Sequence, residues 1–520
     1  MPPVDSVDAK IVSSDEIHKL CQEYRDRGLK VVLCHGVFDL LHPGHITHLQ
    51  QARNLGDILV VSVTAAEYVS KGPGRPFFND MLRLQSLASL SCVDHVILSR
   101  AETALDVLDC LQPDIYVNGA EYEAAENDLT RNIERESAKV RSYGGKVCFT
   151  GGPVFSSTKL LNQEFPVVSG DAKDFLADFA SRCSVEDIQA YLLPAQDLRV
   201  LVVGDLILDQ YVFCAVQGLS LKDRALSALF EHEETYPGGA LAIARHISRY
   251  CREVCLCSIV GDGQWRQRQR SILNSLKSEF RMDLQEVRGF QTAIKQRYVE
   301  RKGLRNEFDK LFAMNYLDRS GTNDEGDRQP FYDRLESSVS NYDLVVVCDF
   351  GHGLVDEQVM EILQDRASYL AVNCQTNTAN FGNNLINKYR RADTFTIDER
   401  ELKLAFSGSR ADPEELLCRL AGQLKAGMGW LTLGSRGVSG VGEDGKQVNI
   451  PALTLITTDT VGAGDAFFAI ASLCARAQVP LEPACFLANV AGALAANILG
   501  NAKPVERAKL LKFASTLLNY

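Results

Sequence analysis

Twice in this chain an apolar run ends in a glycine turn. Val31-Val32-Leu33 leads into Cys34-His35-Gly36, and Val200-Leu201-Val202-Val203 leads into Gly204-Asp205. Each start is followed by helical and strand periods in alternation, which dictates an α/β layer of parallel strands with ligands at their carboxyl ends. The chain has 520 residues, too many for one core, so the two starts mark two domains.

In the first domain, Ser14-Asp15-Glu16 caps a helix that reaches about Arg27, and Gly28 ends it. The first strand, a helix through Leu55 and the strand Ile58 to Val63 make a βαβ unit. Helix Asn79 to Ser89, strand Val93 to Leu98, helix Ala104 to Leu111 and strand Asp114 to Asn118 continue the alternation. A polar helix, Asn127 to Tyr143, precedes strand Lys146 to Thr150. Phe165 to Asp187 has no strand pattern and mixes Pro, Ser, Gly and Asp with a short amphipathic helix. The division is therefore residues 1–165, a linker at 166–190, and a second domain at 191–520.

The second domain alternates through strands Leu344 to Cys348, Tyr369 to Asn373, Thr394 to Ile397 and Trp430 to Leu433, and ends in a helical run from Ala463 to Ile498. Tyr211 to Val216, Ala293 to Glu300 and Leu311 to Leu317 alternate like strands outside the main sheet, as a small lid does.

A net charge of −12 argues against nucleic acid or an anionic membrane surface as the partner, and leaves small anionic substrates to local basic pockets. Met1 to Ser14 is polar and no apolar run reaches the ~20 residues that span a bilayer, so a cytoplasmic protein is expected. The 15 cysteines follow no disulfide framework. Cys251, Cys255 and Cys257, with His246 nearby, fit no zinc spacing and read as buried thiols.

The chemistry of the first domain lies in Cys34 to His45. Two imidazoles, His42 and His45, flank Pro43-Gly44 where a helix start exposes unpaired N–H groups, a ready site for a phosphate changing partners. Both rings can donate to phosphate oxygens as charge builds, and Gly36 and Gly44 let backbone approach. The stretch resembles the HxGH signature of the cytidylyltransferase-like nucleotidyltransferases. Ile46 to Val63 and Lys71 to Pro76 (KGPGRP) are similar to the adenylyltransferase half of the bifunctional ADP-heptose synthesis enzymes. The resemblance implies Lys71 as a mobile cation over the triphosphate, Arg75 on the incoming phosphate, Phe38 and Asp39 on the nucleotide, and Ser156-Ser157-Thr158 as a second phosphate cradle. His35-Gly36 stands where that family has Asn-Gly, and Asn118-Gly119-Ala120-Glu121-Tyr122 where it has a lysine-led motif.

In the second domain, Asp459-Thr460-Val461-Gly462-Ala463-Gly464-Asp465 opens a helix with small residues. Their N–H groups can face a γ-phosphate, and Asp465 can take the proton of an attacking hydroxyl. The segment resembles the signature of the ribokinase-like (PfkB) carbohydrate kinases. The resemblance implies Asp205, Gly238, Gly239 and Asp349 on the sugar, Gly462, Ala463 and Gly464 on the phosphate, Thr432, Gly434 and Gly437 beside the nucleotide, Asn489 at the adenine, and Glu401 in magnesium handling. Ala242 replaces a sugar-contacting Asn of that family, and Asn373-Cys374-Gln375 stands where it carries Asp-x-Lys, so a cation is missing.

The fold expected is thus α/β: a Rossmann-like nucleotidyltransferase domain followed by a ribokinase-like domain with a small β lid. The resemblance implies both activities of the ADP-heptose enzymes in swapped order, using Mg²⁺ and ATP, or CTP, on a sugar phosphate, with a homodimer through the lid. Two alternatives stand: a CTP-dependent transferase on a polyol phosphate with a retired kinase domain, and a nucleotide-sensing scaffold with neither activity.

Overall fold

A computed structural model of the chain describes residues 5–69, 72–119, 132–150, 168–220, 222–302, 307–317, 325–377 and 380–519. The chain divides into two compact units, Met1–Val167 with Leu511–Tyr520, and Val168–Leu510.

The first unit is a five-stranded parallel sheet. Its strands are β1 (Val31–Gly36), β2 (Ile58–Thr64), β3 (His95–Ser99), β4 (Ile115–Gly119) and β5 (Lys146–Thr150), in the order β3-β2-β1-β4-β5. Val31 to Cys34 are buried without a polar break, because a central parallel strand is covered on both faces. The strand order reverses between β1 and β4, so the turn after β1 lies at the topological switch point. The helix that leads into β1 is Ser14–Asp26, capped by Ser13 rather than Ser14. Ser13 and Glu16 form a reciprocal capping box, which the extended backbone at Ser13 permits.

The second unit carries two sheets. The larger has nine strands: β6 (Arg199–Gly204), β9 (Glu253–Gly261), β10 (Arg281–Val287), β13 (Leu344–Asp349), β14 (Leu370–Cys374), β15 (Thr394–Asp398), β16 (Met428–Thr432), β17 (Val438–Gly442) and β18 (Gln447–Ile450). Their order is β10-β9-β6-β13-β14-β15-β16-β17-β18, parallel through β16 and antiparallel thereafter. The smaller sheet is the lid, with β7 (Leu206–Leu219), β8 (Leu226–Gly239), β11 (Ala293–Lys302) and β12 (Glu307–Tyr316) in the order β12-β11-β7-β8. Periodicity shows three of these four strands. The fourth, β8, exposes most of its first half and carries Gly238 and Gly239 at its end, so its alternation is weak.

Two expectations need correction. The stretch read as linker is helical where it is described: Gly170–Arg182 and Val185–Tyr191 belong to the second unit, and Phe179 packs on Phe486 with ring centroids 4.8 Å apart. The helical run from Ala463 is two helices, Ala463–Arg476 and Leu481–Ala495, because Gln478 turns left-handed at φ 55° and Pro480 caps the second.

Candidate active sites

In the first unit the helix Pro43–Arg53 starts at the end of the turn after β1, with His42 as its N-cap and Pro43 in its first turn. His42 Nδ1 accepts the His45 backbone N–H at 3.3 Å. That bond places the proton of a neutral His42 on Nε2, leaving Nε2–H as a donor. The two rings stack with centroids 3.9 Å apart, and Phe38 lies edge-on to His45 at 5.3 Å. Phe38 is left-handed at φ 47°, and a Cβ on Gly36 would sit 3.1 Å from its ring.

The rest of this turn is held from below. Asp39 is buried, accepts the N–H groups of Phe77 and Phe78 at 2.9 and 3.0 Å, and pairs with Arg75 at 3.6 Å. The Arg75 side chain is only 3% exposed, so it braces the 75–78 segment against Asp39 rather than projecting outward. Arg83, absent from the sequence-based set, is buried and donates to the Val37 and Thr64 carbonyls at 2.7 and 2.9 Å. His35 sits under the turn with Ser62 and Thr64 on its ring nitrogens at 3.1 and 3.3 Å, and burial lowers its pKa to about 4. Lys71, Ser156, Ser157 and Thr158 lie outside the described residues.

In the second unit one cavity of about 320 Å³ brings together residues far apart in sequence: Asp209, Lys295, Arg297, Glu401, Gly462 and Asp465 are among its lining. Gly462 caps the helix Ala463–Arg476 at φ 86°, with Asp465 in the first turn. A Cβ on Gly462 would fall 1.8 Å from Asn501 Oδ1, so only glycine fits there. Burial, then the charge of Asp209, pushes the Asp465 carboxyl up to about 7, against the pull of Lys295 and Asn501.

Gly239 and Thr432 also line this cavity. Gly238 acts by omission: a Cβ there would sit 2.3 Å from Asp209 Oδ2. Glu401 completes a capping box with Asp398 at the start of the helix Glu399–Ala405, and its Oε1 accepts the Thr376 N–H at 2.9 Å. Burial and the Asp398 charge raise Glu401 to about 8.

Several expected residues lie elsewhere. Asp205 is turned under the loop after β13, where its carboxylate accepts the N–H groups of Phe350, His352 and Leu354 at 3.0, 3.1 and 3.1 Å. Burial and the neighbouring Asp349 raise it to about 6. Asp349 is bonded to Tyr389, Asn384 and Lys388 at 2.7, 3.0 and 2.6 Å and is not part of the cavity wall. Both carboxylates shape the loop that presents Phe350 to the cavity. Gly434 and Gly437 form the turn between β16 and β17, and Asn489 donates to the Pro451 carbonyl at 2.9 Å; none lines this cavity, nor does Ala463.

Asp209, Lys295 and Arg297 are the residues that sequence reasoning missed. Their signal is the two-residue period of β7 and β11, which puts Ile207, Asp209 and Tyr211 on one face and Ala293, Lys295 and Arg297 beside them.

Residues 33–165 match the family described as cytidylyltransferase-like, and residues 197–507 match the pfkB family carbohydrate kinases. The chain is 39% identical over 142 residues to the bifunctional protein HldE of Syntrophotalea carbinolica, and 41% identical over 143 residues to that of Citrifermentans bemidjiense. Each match covers 27% of this chain and 28% of the relative, so the chain spans just over a quarter of the length of these curated relatives. The crystal structure of phosphofructokinase-2 from Escherichia coli in complex with substrates and products is 15% identical, with a TM-score of 0.48 over 61% of this chain and 99% of that one. With the signature glycines and Asp465 gathered at one cavity and the match running through 311 consecutive positions, from 197 to 507, the chain belongs to the pfkB family of carbohydrate kinases.

Proposed function

We propose that the chain is a bifunctional enzyme of sugar-nucleotide synthesis: a nucleotidyltransferase acting on a sugar 1-phosphate, and a kinase acting on a sugar phosphate. The observation that carries this is that each unit keeps its reacting groups together, His42 stacked on His45 in one and Asp465 beside Gly462 across from Asp209 in the other. The similarity to the two HldE proteins, over the N-terminal part, favours a heptose-like sugar and ATP over CTP.

In the kinase step the acceptor hydroxyl gives its proton to Asp465 and forms the new O–P bond, while the bond to the β-phosphate oxygen breaks and ADP leaves with the electron pair. The N–H groups at the start of the helix Ala463–Arg476 meet the charge that develops on the transferred group. Arg297 fixes Asp209, and Asp209 orients the sugar. In the transfer step a sugar phosphate oxygen attacks the α-phosphorus, pyrophosphate leaves, and His42 Nε2–H with His45 stabilises the oxygens that gain charge. Lys71 and the Ser156 to Thr158 turn complete that phosphate site in the same proposal, while Arg75 steadies the turn through Asp39.

Asp398 on the cavity wall would offer Mg²⁺ an oxygen, while the oxygens of Glu401 behind it are taken by the Thr376 and Asp398 N–H groups. Among the described residues no cluster of three or more His, Cys, Asp or Glu side chains could hold a metal. In this reading the phosphates of the nucleotide would carry most of the cation's coordination.

Leu226, Leu229, Phe230, Phe312 and Met314 leave large apolar areas exposed on the lid, which supports a homodimer through that sheet. Free cysteines throughout and the absence, among the described residues, of any helix long and apolar enough to cross a membrane support a cytoplasmic location.

The test is pyrophosphate release from ATP and CTP over sugar 1-phosphates and polyol phosphates, together with ADP formation on sugar phosphates. Histidine-dependent release with a heptose 1-phosphate and ATP is the expected result. Release only with CTP and a polyol phosphate, without kinase turnover, would replace this function by a transferase with a retired kinase domain.

A further inference from the structure

The parallel register of β7 and β11 sets Lys295 beside Asp209 and Arg297 beside Tyr211. Asp209 does not pair with its neighbour. It is taken by Arg297, which reaches it along the diagonal and lies over the Tyr211 ring at 5.6 Å. Lys295 is left with its ammonium 5.6 Å from the Phe350 ring centroid, on the cavity wall, with no hydrogen bond or ion pair among the described residues.

An uncommitted cation in so enclosed a place is costly unless an anion joins it. The other ionisable groups on the wall are carboxyls, namely Asp209, Asp398, Asp465 and Glu401; burial leaves Glu401 largely protonated near neutral pH, and only Asp209 is offset by a cation, Arg297. A phosphate brought into this cavity therefore meets net negative charge unless Lys295 receives it. Just after β14, the chain has Gln375 where the kinase signature carries a lysine, and Gln375 also lines the cavity. The missing charge is present, but it comes from the lid.

We infer that Lys295 is the phosphate-holding cation of the second unit, binding an oxygen of either the transferred phosphoryl group or the acceptor's own phosphate. This rests on the kinase assignment of that cavity. Burial also lowers the Lys295 pKa, with Asp209 and Asp465 acting in the opposite sense.

The experiment uses the full chain with Lys295→Met, which keeps the stem and removes the charge, and Lys295→Arg, which restores it. With ATP and Mg²⁺, phosphoryl transfer is followed on sugar phosphates and on the same sugars without phosphate. Lys295→Met is expected to lose about 10²-fold in kcat/KM on sugar phosphates, with partial recovery in Lys295→Arg. A rise in KM confined to phosphorylated acceptors places the acceptor's phosphate on Lys295; a fall in kcat on every acceptor places the transferred group there. Kinetics within twofold of the unmodified protein on all acceptors would overturn the inference. If the unmodified protein phosphorylates none of them, the kinase assignment fails separately, and calorimetric titration with inorganic phosphate then decides on Lys295. One binding event lost in Lys295→Met supports its role, and identical titrations reject it.

Discussion

The Tyr211 hydroxyl donates to Asp459 Oδ2 at 2.5 Å, joining a lid strand to the first residue of the glycine signature. Lys310 of β12 reaches the other oxygen at 2.8 Å, and the Val461 and Gly500 N–H groups complete the shell at 3.1 and 3.3 Å. Burial works to raise this carboxyl, and the hydrogen bonds from Lys310 and Tyr211 outweigh it, so Asp459 lies below the usual carboxylate range. The lid and the glycine turn before the helix Ala463–Arg476 therefore share one anionic anchor.

Replacing Tyr211 by Phe removes a buried hydrogen bond to a charged group, about 1.5–3 kcal/mol in general. Thermal unfolding should show this loss, and ADP formation should slow by roughly tenfold as the glycine turn loosens, a 1.4 kcal/mol effect. Pyrophosphate release by the first unit should be unchanged. Equal slowing of both activities would contradict a role confined to the second unit.

His45→Ala removes one donor from the stacked pair and should lower nucleotidyl transfer by about 10²–10³. Steady-state pyrophosphate release measures it. Unchanged turnover would remove His45 from the reacting site.

In the proposed kinase step Asp465 must be unprotonated to accept the acceptor's proton. With its carboxyl near 7, ADP formation should rise through neutral pH, and kcat/KM should trace the lower limb in the free enzyme. The same shift has a consequence for folding. A carboxyl raised in the folded state binds a proton that the unfolded chain releases near 3.9, so its contribution is present when protonated and lost as pH rises through 7. Asp465→Asn should therefore be inactive as a kinase, and its melting temperature should gain on the unmodified protein between pH 6 and pH 8.

His35 carries the opposite sign. Its folded pKa of about 4 lies below the ordinary 6.5, so the unfolded chain takes up the proton first and stability is lost as pH falls from 6.5 through 4. His35→Asn should flatten that loss, measured as the difference in melting temperature between pH 7.5 and pH 5. An acid sensitivity identical to that of the unmodified protein would place its origin elsewhere.

Gly238→Ala should abolish ADP formation while sparing pyrophosphate release, because the added methyl collides with the Asp209 carboxylate, 2.3 Å from where it would sit. A variant that still phosphorylates at more than a tenth of the original rate would show that Asp209 can move aside without loss.

The parallel layers, the helix starting at His42 and the glycine cap at Gly462 were legible in the chain because each is a local consequence of sequence. Continuous apolar runs mark covered strands, Pro43 suits the first turn of a helix, and Gly462 can take the left-handed conformation that precedes one. Local order misled where side chains choose between partners. Asp205 and Asp349 look like substrate ligands beside their strands, yet the backbone of residues 350–354 and the cluster of Tyr389, Asn384 and Lys388 claim them. Arg75 looks like a phosphate ligand and is closed into an ion pair with Asp39.

By itself, the sequence determined two α/β units, their reactive motifs and the strands of the lid except β8. Only the tertiary structure decided that Asp209, Lys295 and Arg297 line one cavity with Asp465, because β7 and β11, whose partners lie 86 residues apart, meet in a parallel register that no local period encodes. Strand pairing between distant segments is set by which faces bury together, and that choice also determines which charges are neutralised and which remain available to a phosphate.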